Sequence, residues 1–374
     1  MSEPYNYSIH DIVTVTSQAV LPELEPFRVN YAISQPTIVV KIGKPARQTR
    51  NPGTRHLFYT ESLGILGFQA EIVIGEHIEV VASPLLRYSP HVLYTNLVEP
   101  ILRWTFVRKG YALVHGATLA FGKQAYMITA RTDTGKTTTL LKILNHQRRD
   151  TDRAAFVSDD LTLVSPDGQV MTYPKPLTIS HHTVQAINST LLNRRERLAL
   201  FVQSRIHSRS GRKFAFSLNK LNFLPLATIN MFVQMIVPPP KYPVKRLVPN
   251  VKLAETAHLA GLFVIERGQE ADVNLDPHEA LEILFSNCED AFGFPPYQSI
   301  KEFLYLVDDV DLRPIEHGVI SQAMEGLPAN LIRSNNLEWW RRIPAFVGED
   351  LAVFFSLPRQ NATQPFQTSD VVRV

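Results

Sequence analysis

The chain is predicted to be α/β (α+β), with a mixed sheet at its core and a small antiparallel β region before it. Three observations support this. Short apolar runs separated by Gly, Pro and polar turns fill residues 1–90. Beyond residue 110, strand-like runs alternate with stretches of helical spacing. Residues 114–164 set a hairpin, a loop containing glycine, a helix and a further strand in direct succession. With 374 residues, 45% of them hydrophobic and 20% charged, the chain has enough apolar material for two domains and a substantial core.

The first strands are expected at 37–42, 56–59, 63–69, 70–74 and 77–81, mostly antiparallel, with Arg55 and His56 as a solvated strand start. Residues 90–109 have helical spacing and stop at Gly110. Pro100 lacks an N–H and should kink or re-start that helix. Trp104 and Phe106 are expected to pack on the sheet, and the helix to bridge the β region to the core beyond residue 110.

The centre of the chain contains Ala130-Arg131-Thr132-Asp133-Thr134-Gly135-Lys136-Thr137, the spacing of a phosphate-binding loop with Ala130 in place of the first glycine. An apolar strand, 125–129, precedes it, and helical spacing from Thr137 and Thr138 comes after it. In that order the loop and helix N–H groups point at phosphates. Lys136 adds a mobile positive charge, and the Thr137 hydroxyl can hold Mg²⁺. A chance match is the rival reading, and two neighbours weigh against it. The strand 156–158 ends in Asp159 and Asp160 only 23 positions after Lys136 (159 − 136 = 23). One helix and one turn fit in that gap, so the two strands should be neighbours in one sheet, bringing both carboxylates beside the phosphates and the metal. Upstream, 116–121 and 124–129 read as a hairpin turning at Gly122 and Lys123, starting at His115.

This order of His115-Gly116, hairpin, Gly135-Lys136-Thr137 and Asp159-Asp160 resembles the HPr kinase/phosphorylase-like (serine kinase) family, which shares a P-loop fold with phosphoenolpyruvate carboxykinase. The resemblance is specific over residues 110–165 and looser as far as residue 290; residues 1–110 and 300–374 are not covered. It implies ATP and Mg²⁺ as cofactors, with residues 130–138 as the nucleotide cradle. Lys136 and Thr137 would bind phosphate and Mg²⁺, Asp159 would be the general base, Asp160 the metal-side carboxylate, and His115 would stand beside the γ-phosphate. The chain departs from the family at Ala130, at the bulkier Arg131 to Thr134, and in lacking a convincing second glycine-rich signature. The resemblance therefore implies the chemistry without implying HPr as substrate. The domain reading is a β-rich region with bridging helix at 1–109, a nucleotide-binding catalytic domain at 110–300, an α/β extension at 301–357 and a disordered tail at 358–374.

After Asp160 a second hairpin, 161–164 with 170–173, turns at Pro166-Asp167-Gly168. Lys175 lies between Pro174 and Pro176, where related kinases often place a basic residue. It reads either as a second phosphate contact or as a solvated lysine on a surface turn. His181 and His182 are adjacent and share no helix face, and no third ligand lies at metal spacing, so a zinc site is rejected. From Arg197 to Ala254 there are ten Lys and Arg and no Asp or Glu, which leaves 28 basic (38 − 10) against 35 acidic residues elsewhere. An anion-binding lid, docking on an anionic membrane or lipid headgroup, and a passive solvated face all fit such a segment. Within it, 214–218 and 229–237 are expected strands and 238–246 an extended, polyproline-like loop. Further on, 259–268 reads as a buried strand. Asp276 and Pro277 open a helix, Cys288 is a small core residue, and 303–307 is a strand ending in Asp308 and Asp309. Trp339 and Trp340 beside Arg341 and Arg342 suit a membrane interface, a subunit contact or burial in the same chain.

No stretch approaches the roughly 20 apolar residues of a membrane span. The N-terminus has no signal-peptide pattern, and one cysteine fits a reducing compartment. The expected setting is the cytoplasm, including peripheral contact at the inner membrane face. The expected function is an ATP- and Mg²⁺-dependent kinase acting on a hydroxyl acceptor. A protein Ser/Thr kinase or phosphorylase, a small-molecule or lipid-linked alcohol kinase, and a non-catalytic nucleotide sensor all remain open. A carboxykinase would need a metal-binding Lys/His pair that the sequence does not place. Nucleic acid is disfavoured, because no DNA- or RNA-binding signature appears. Homo-oligomerisation is expected by analogy alone.

Overall fold

A computed structural model describes residues 3–45, 53–63, 66–148, 153–186, 192, 193, 196, 200, 225–238, 240–292, 295–349, 351 and 355. It is a mixed α/β protein built on two mixed sheets. The first sheet holds β1 (Tyr5–Ile9), β2 (Val13–Ser17), β3 (Arg28–Val29), β4 (Ile38–Ile42), β5 (Arg55–Leu63), β6 (Leu66–Ile74) and β7 (Ile78–Ala82), in the order β3-β1-β2-β4-β7-β6-β5. Its pairings are antiparallel except β2–β4 and β4–β7, which are parallel. The sequence pattern does not reveal β1 and β2, where Asn, Ser and Thr interleave with the apolar residues. In β2, Val13 and Val15 turn inward while Thr14 and Thr16 lie at the more open face, the period-two signature of a half-buried strand. Arg55 is not a solvated strand start: its guanidinium donates to the Phe303 carbonyl at 3.1 Å and lies 4.6 Å from the centre of that ring.

Helix Pro90–Leu93 passes through one π-helical turn, Tyr94–Val98, into helix Glu99–Arg108. The widened turn falls just before Pro100, the position where an α-helical hydrogen bond would be missing. It also sets Glu99 in the first turn of the second helix. That helix is buried on all sides, Trp104 and Phe106 included. Its Arg103 is 1% exposed and forks onto both oxygens of Glu316 at 2.7 and 2.8 Å. It also donates to Glu289 and the Tyr297 hydroxyl. One guanidinium thus ties this helix to three later ones, Pro277–Ala291, Tyr297–Tyr305 and Leu312–Ala323.

The second sheet contains β8 (Ala112–His115), β9 (Ala117–Phe121), β10 (Gln124–Thr129), β11 (Ala154–Ser158), β12 (Leu161–Val164), β13 (Gln169–Met171), β16 (Thr256–Glu266), β17 (Ala271–Asn274) and β20 (Ala329–Arg333). Between them come β14 (Leu177–Thr178) and β15 (Lys241–Tyr242), which pair as a small ribbon. The strands β18 (Leu306–Val307) and β19 (Val310–Asp311) form another. The main path runs β11-β9-β10-β16-β13-β12-β8, with β20 pairing β16 and β17. Both expected hairpins are present, β9 with β10 and β12 with β13. The strands β10 and β11 are not neighbours, however, because β9 lies between them, antiparallel to each. They therefore run parallel to one another and end at the same edge. Alternate residues of these strands face opposite layers: Leu119, Ile128 and Phe156 pack with helices Lys136–His146 and Trp339–Phe346. On the opposite face Ala120, Met127 and Val157 pack with residues of helices Pro277–Ala291 and Leu312–Ala323. Burial on both faces explains why these strands read as continuous apolar runs.

Several expectations are corrected. Residues 229–237 do not form a strand; they lie in helix Leu226–Ile236, whose Ala227, Thr228 and Met231 are spaced for one helical face and buried in the first core. Seven apolar residues among nine, without alternation, suit a helix as well as a strand, and Thr228 anchors the helix by donating to the Glu61 carbonyl while its hydroxyl accepts from the Phe68 N–H. Of the expected strand 303–307, residues 303–305 end the helix Tyr297–Tyr305, and only Leu306–Val307 are strand, β18, after which Asp308 and Asp309 occupy the β18–β19 turn at φ of 52° and 62°. The proline-rich run holds β15 and the short helix Val244–Leu247. Trp339 and Trp340 are buried in their own chain, which removes them as a membrane or subunit surface. The basic stretch 201–224, its expected strand 214–218 and the tail 358–374 lie outside the described residues. No described helix is long and apolar enough to cross a membrane.

Replacing Arg103 with Met should cost about 3–5 kcal/mol in urea unfolding, since it strands the buried Glu316 carboxylate. The double variant with Glu316→Gln should recover part of that loss.

Candidate functional site

The loop 130–135 joins β10 to the helix Lys136–His146. Gly135 has φ of 135°, which only glycine adopts readily, and a Cβ there would lie 3.2 Å from the Trp339 ring. Asp133 is left-handed at φ of 64°, a conformation that aspartate tolerates. Arg267, just past β16, donates to the Asp133 and Thr134 carbonyls at 3.0 Å each and so pins the loop to the sheet. Arg131 and Thr132 stand exposed at its outer end. Ala130, where the motif has glycine, is 1% exposed, and its carbonyl accepts from the Lys136 ammonium at 3.0 Å.

Lys136 is buried, and desolvation lowers its pKa from the ordinary value. Its second partner is Nε2 of His115, 2.9 Å away at the end of β8. The other ring nitrogen, Nδ1, is 2.6 Å from the Asn287 carbonyl. A carbonyl only accepts and an ammonium only donates, so this pattern defines a His115 ring with the proton on Nδ1 and the lone pair of Nε2 turned to Lys136. The Asn287 side chain donates to Thr129, whose hydroxyl donates to the His115 carbonyl, and the His115 N–H donates to Cys288 Sγ. Cys288 is thus a buried core thiol, and burial pushes it up to about 12.

Thr137 Oγ1, one residue into the helix, lies 3.1 and 2.9 Å from the two oxygens of Asp159. The parallel run of β10 and β11 brings these groups together across the intervening strand. Asp159 is 4% exposed; burial first, and the neighbouring Asp160 second, push its carboxyl up to about 6. Asp160 turns away in a left-handed conformation, φ 72°, with its side chain 52% exposed. Its Oδ2 lies 2.7 Å from the Lys175 ammonium and its Oδ1 3.5 Å from His115 Nε2. Desolvation opposes its ionisation, but the Lys175 ammonium holds this carboxyl well below the usual range. Thr138 meets Thr183 of helix His181–Ala186 at 3.1 Å.

Lys175 is neither a solvated surface lysine nor free. It is 7% exposed and also donates to Glu99 at 2.8 Å. No local motif marks Glu99, Arg267, Asn287 or Trp339 as belonging to the site. A signal for Glu99 is nonetheless present: a lone carboxylate inside Leu97-Val98-Glu99-Pro100-Ile101-Leu102, where a charge stays buried only if paired. Of the basic segment, Lys241 is held by Glu23, and Arg246 by Glu196 with its guanidinium over Tyr242.

The hydroxyl of Thr137 and the carboxylate of Asp160 are hard oxygen donors of the kind Mg²⁺ takes. Asp160 already faces a cation, the Lys175 ammonium, so its carboxylate suits a divalent ion, while the Thr137 hydroxyl lies against Asp159. No family model matches the chain, and no curated protein matches it.

The raised pKa of Asp159 ties stability to pH. Between its ordinary value of 3.8 and about 6 the folded state binds the extra proton. Stability therefore falls as pH rises through that window, by up to about 3 kcal/mol. Asp159→Asn should stabilise the metal-free protein in urea titrations at pH 7.5 and change it little at pH 4.

Proposed function

We propose that the chain is an ATP- and Mg²⁺-dependent phosphotransferase with a hydroxyl acceptor, built on a P-loop core similar to that of the HPr kinase/phosphorylase-like family. The supporting observation is the convergence at one sheet edge of Lys136, Thr137 and His115 with a paired Asp159 and Asp160 of opposite pKa shift. Two titratable neighbours pushed apart are what a site needs to keep one group as a base while the other stays charged.

In this reading the loop N–H groups and the Lys136 ammonium hold the phosphates and offset charge on the phosphoryl group in transfer. His115 keeps Lys136 oriented through Nε2. Asp159, titrating near neutral pH, accepts the acceptor's proton as the acceptor oxygen bonds to the γ-phosphorus and the bond to the β–γ bridging oxygen breaks. Thr137 and Asp160 are the residues that would hold Mg²⁺. When bound, Mg²⁺ supplies charge neutralisation on the phosphate oxygens. Residues 130–138 and Lys175 line the nucleotide side, and the acceptor is an alcohol of a protein, a small molecule or a lipid headgroup. The same core without transfer would make a nucleotide sensor, and Asp159, placed and poised as a base, favours the enzyme.

The test is ATP consumption by the purified protein with Mg²⁺, alone and with separate pools of metabolites, lipids and proteins. Label should move to one pool. Lys136→Ala and Asp159→Asn should each lower the rate by about 10²-fold or more. Nucleotide binding that depends on Lys136 with no transfer or hydrolysis in any pool would leave only the sensor.

A further inference from the structure

Lys175 is shared between two carboxylates at almost equal distance, Glu99 at 2.8 Å and Asp160 at 2.7 Å. The two are not equivalent. Glu99 is buried and belongs to a helix locked by the Arg103 fork. Asp160 ends a strand in a left-handed conformation with half its side chain exposed. The ammonium is therefore anchored from the Glu99 side, and Asp160 is the partner that can let go.

We propose that Glu99 is a positioning residue: by holding Lys175 it frees Asp160 to take a divalent cation. This rests on the metal role given to Asp160 above. The physical reason is charge conservation in a buried place. If Asp160 turns to a cation, Lys175 stays paired with Glu99, and no uncompensated ammonium is left in the interior. Without the Glu99 charge, Lys175 has one anionic partner instead of two, and competes with the metal for it. The residue would thus act on metal affinity through Lys175, as an outer partner of a ligand commonly does.

The probe is Mn²⁺ alone, titrated into the nucleotide-free full chain and followed by electron paramagnetic resonance of the free ion. Asp160→Asn should abolish tight binding. Glu99→Gln, which keeps the side chain's shape, should weaken Mn²⁺ by about tenfold or more. Lys175→Met should move it the opposite way, to tighter binding, and in that background Glu99→Gln should add almost nothing. Damage to the fold alone would weaken binding in both single variants, so the opposed signs and the vanished second effect separate the two explanations. If Glu99→Gln proves too unstable to handle, Glu99→Asp, which keeps the charge but draws it back from Lys175, takes its place and should likewise weaken Mn²⁺. Unchanged affinity in Glu99→Gln, weaker binding in Lys175→Met, an undiminished Glu99 effect without Lys175, or no Asp160-dependent Mn²⁺ binding would each overturn the proposal. ATP binding by wild type and Lys136→Ala, measured alongside, tests the phosphotransferase reading separately. A protein that transfers phosphoryl groups with no Glu99 effect loses only the relay, and one that shows the Mn²⁺ pattern but never binds ATP loses only the kinase.

Discussion

Two neighbouring carboxylates at one buried corner of a sheet set the terms for everything around them. Side by side, with Asp159 buried, Asp159 and Asp160 cannot both be charged without help. The structure resolves this by splitting them. Asp160 turns out through a left-handed residue to meet Lys175, while Asp159 stays inside against the Thr137 hydroxyl. One is held ionised by Lys175, and burial with the neighbouring charge pushes the other up to about 6.

Holding that corner takes more backbone than the motif itself. The strands β8 and β9 are successive, parted only by Gly116, and β11 and β12 are parted by Asp159 and Asp160. The Gly116 N–H donates to the Asp160 carbonyl, and hydroxyls of Thr118, Ser158 and Thr162 meet one another at 2.6 to 2.7 Å behind it. A Cβ at Gly116 would come within 2.7 Å of Met127, so the corner closes only because that position is glycine. The loop on the other side is pinned from three directions, by β10, by Arg267 and by the Trp339 ring.

What could be read in the sequence was set by locality. The hairpin, the strand–loop–helix order, the Asp159-Asp160 strand end, the Asp276 cap and the buried Cys288 all depend on residues within a few positions of one another, where turn chemistry and periodicity act. The insertion of β9 between β10 and β11 is a question of sheet order, which a gap of one helix and one turn does not decide. Residues 229–237 and 303–307 looked like strands because short apolar runs suit both, and packing against the first core made 229–236 and 303–305 helical. Glu99, Arg267 and Asn287 contact site residues 76 to 172 positions away in sequence, and only tertiary packing brings them there.

Those distant residues change what the first part of the chain is for. Glu99 and Glu23 lie before residue 110, and each holds a lysine from beyond it: the buried Lys175, which precedes the β14–β15 ribbon, and the half-buried Lys241 within it. Glu23 is fully buried, and Lys241 and His91 together hold its carboxyl below the ordinary value against the cost of burial. The ribbon that delivers Lys175 to Asp160 is therefore fastened at both ends by carboxylates of the preceding region. A buried carboxylate without its lysine, or a buried lysine without its carboxylate, is the costly state. The two parts of the chain are thus coupled through charge as well as through the shared apolar core. The charge state of the Asp159–Asp160 corner depends on a helix that no local motif connects to it.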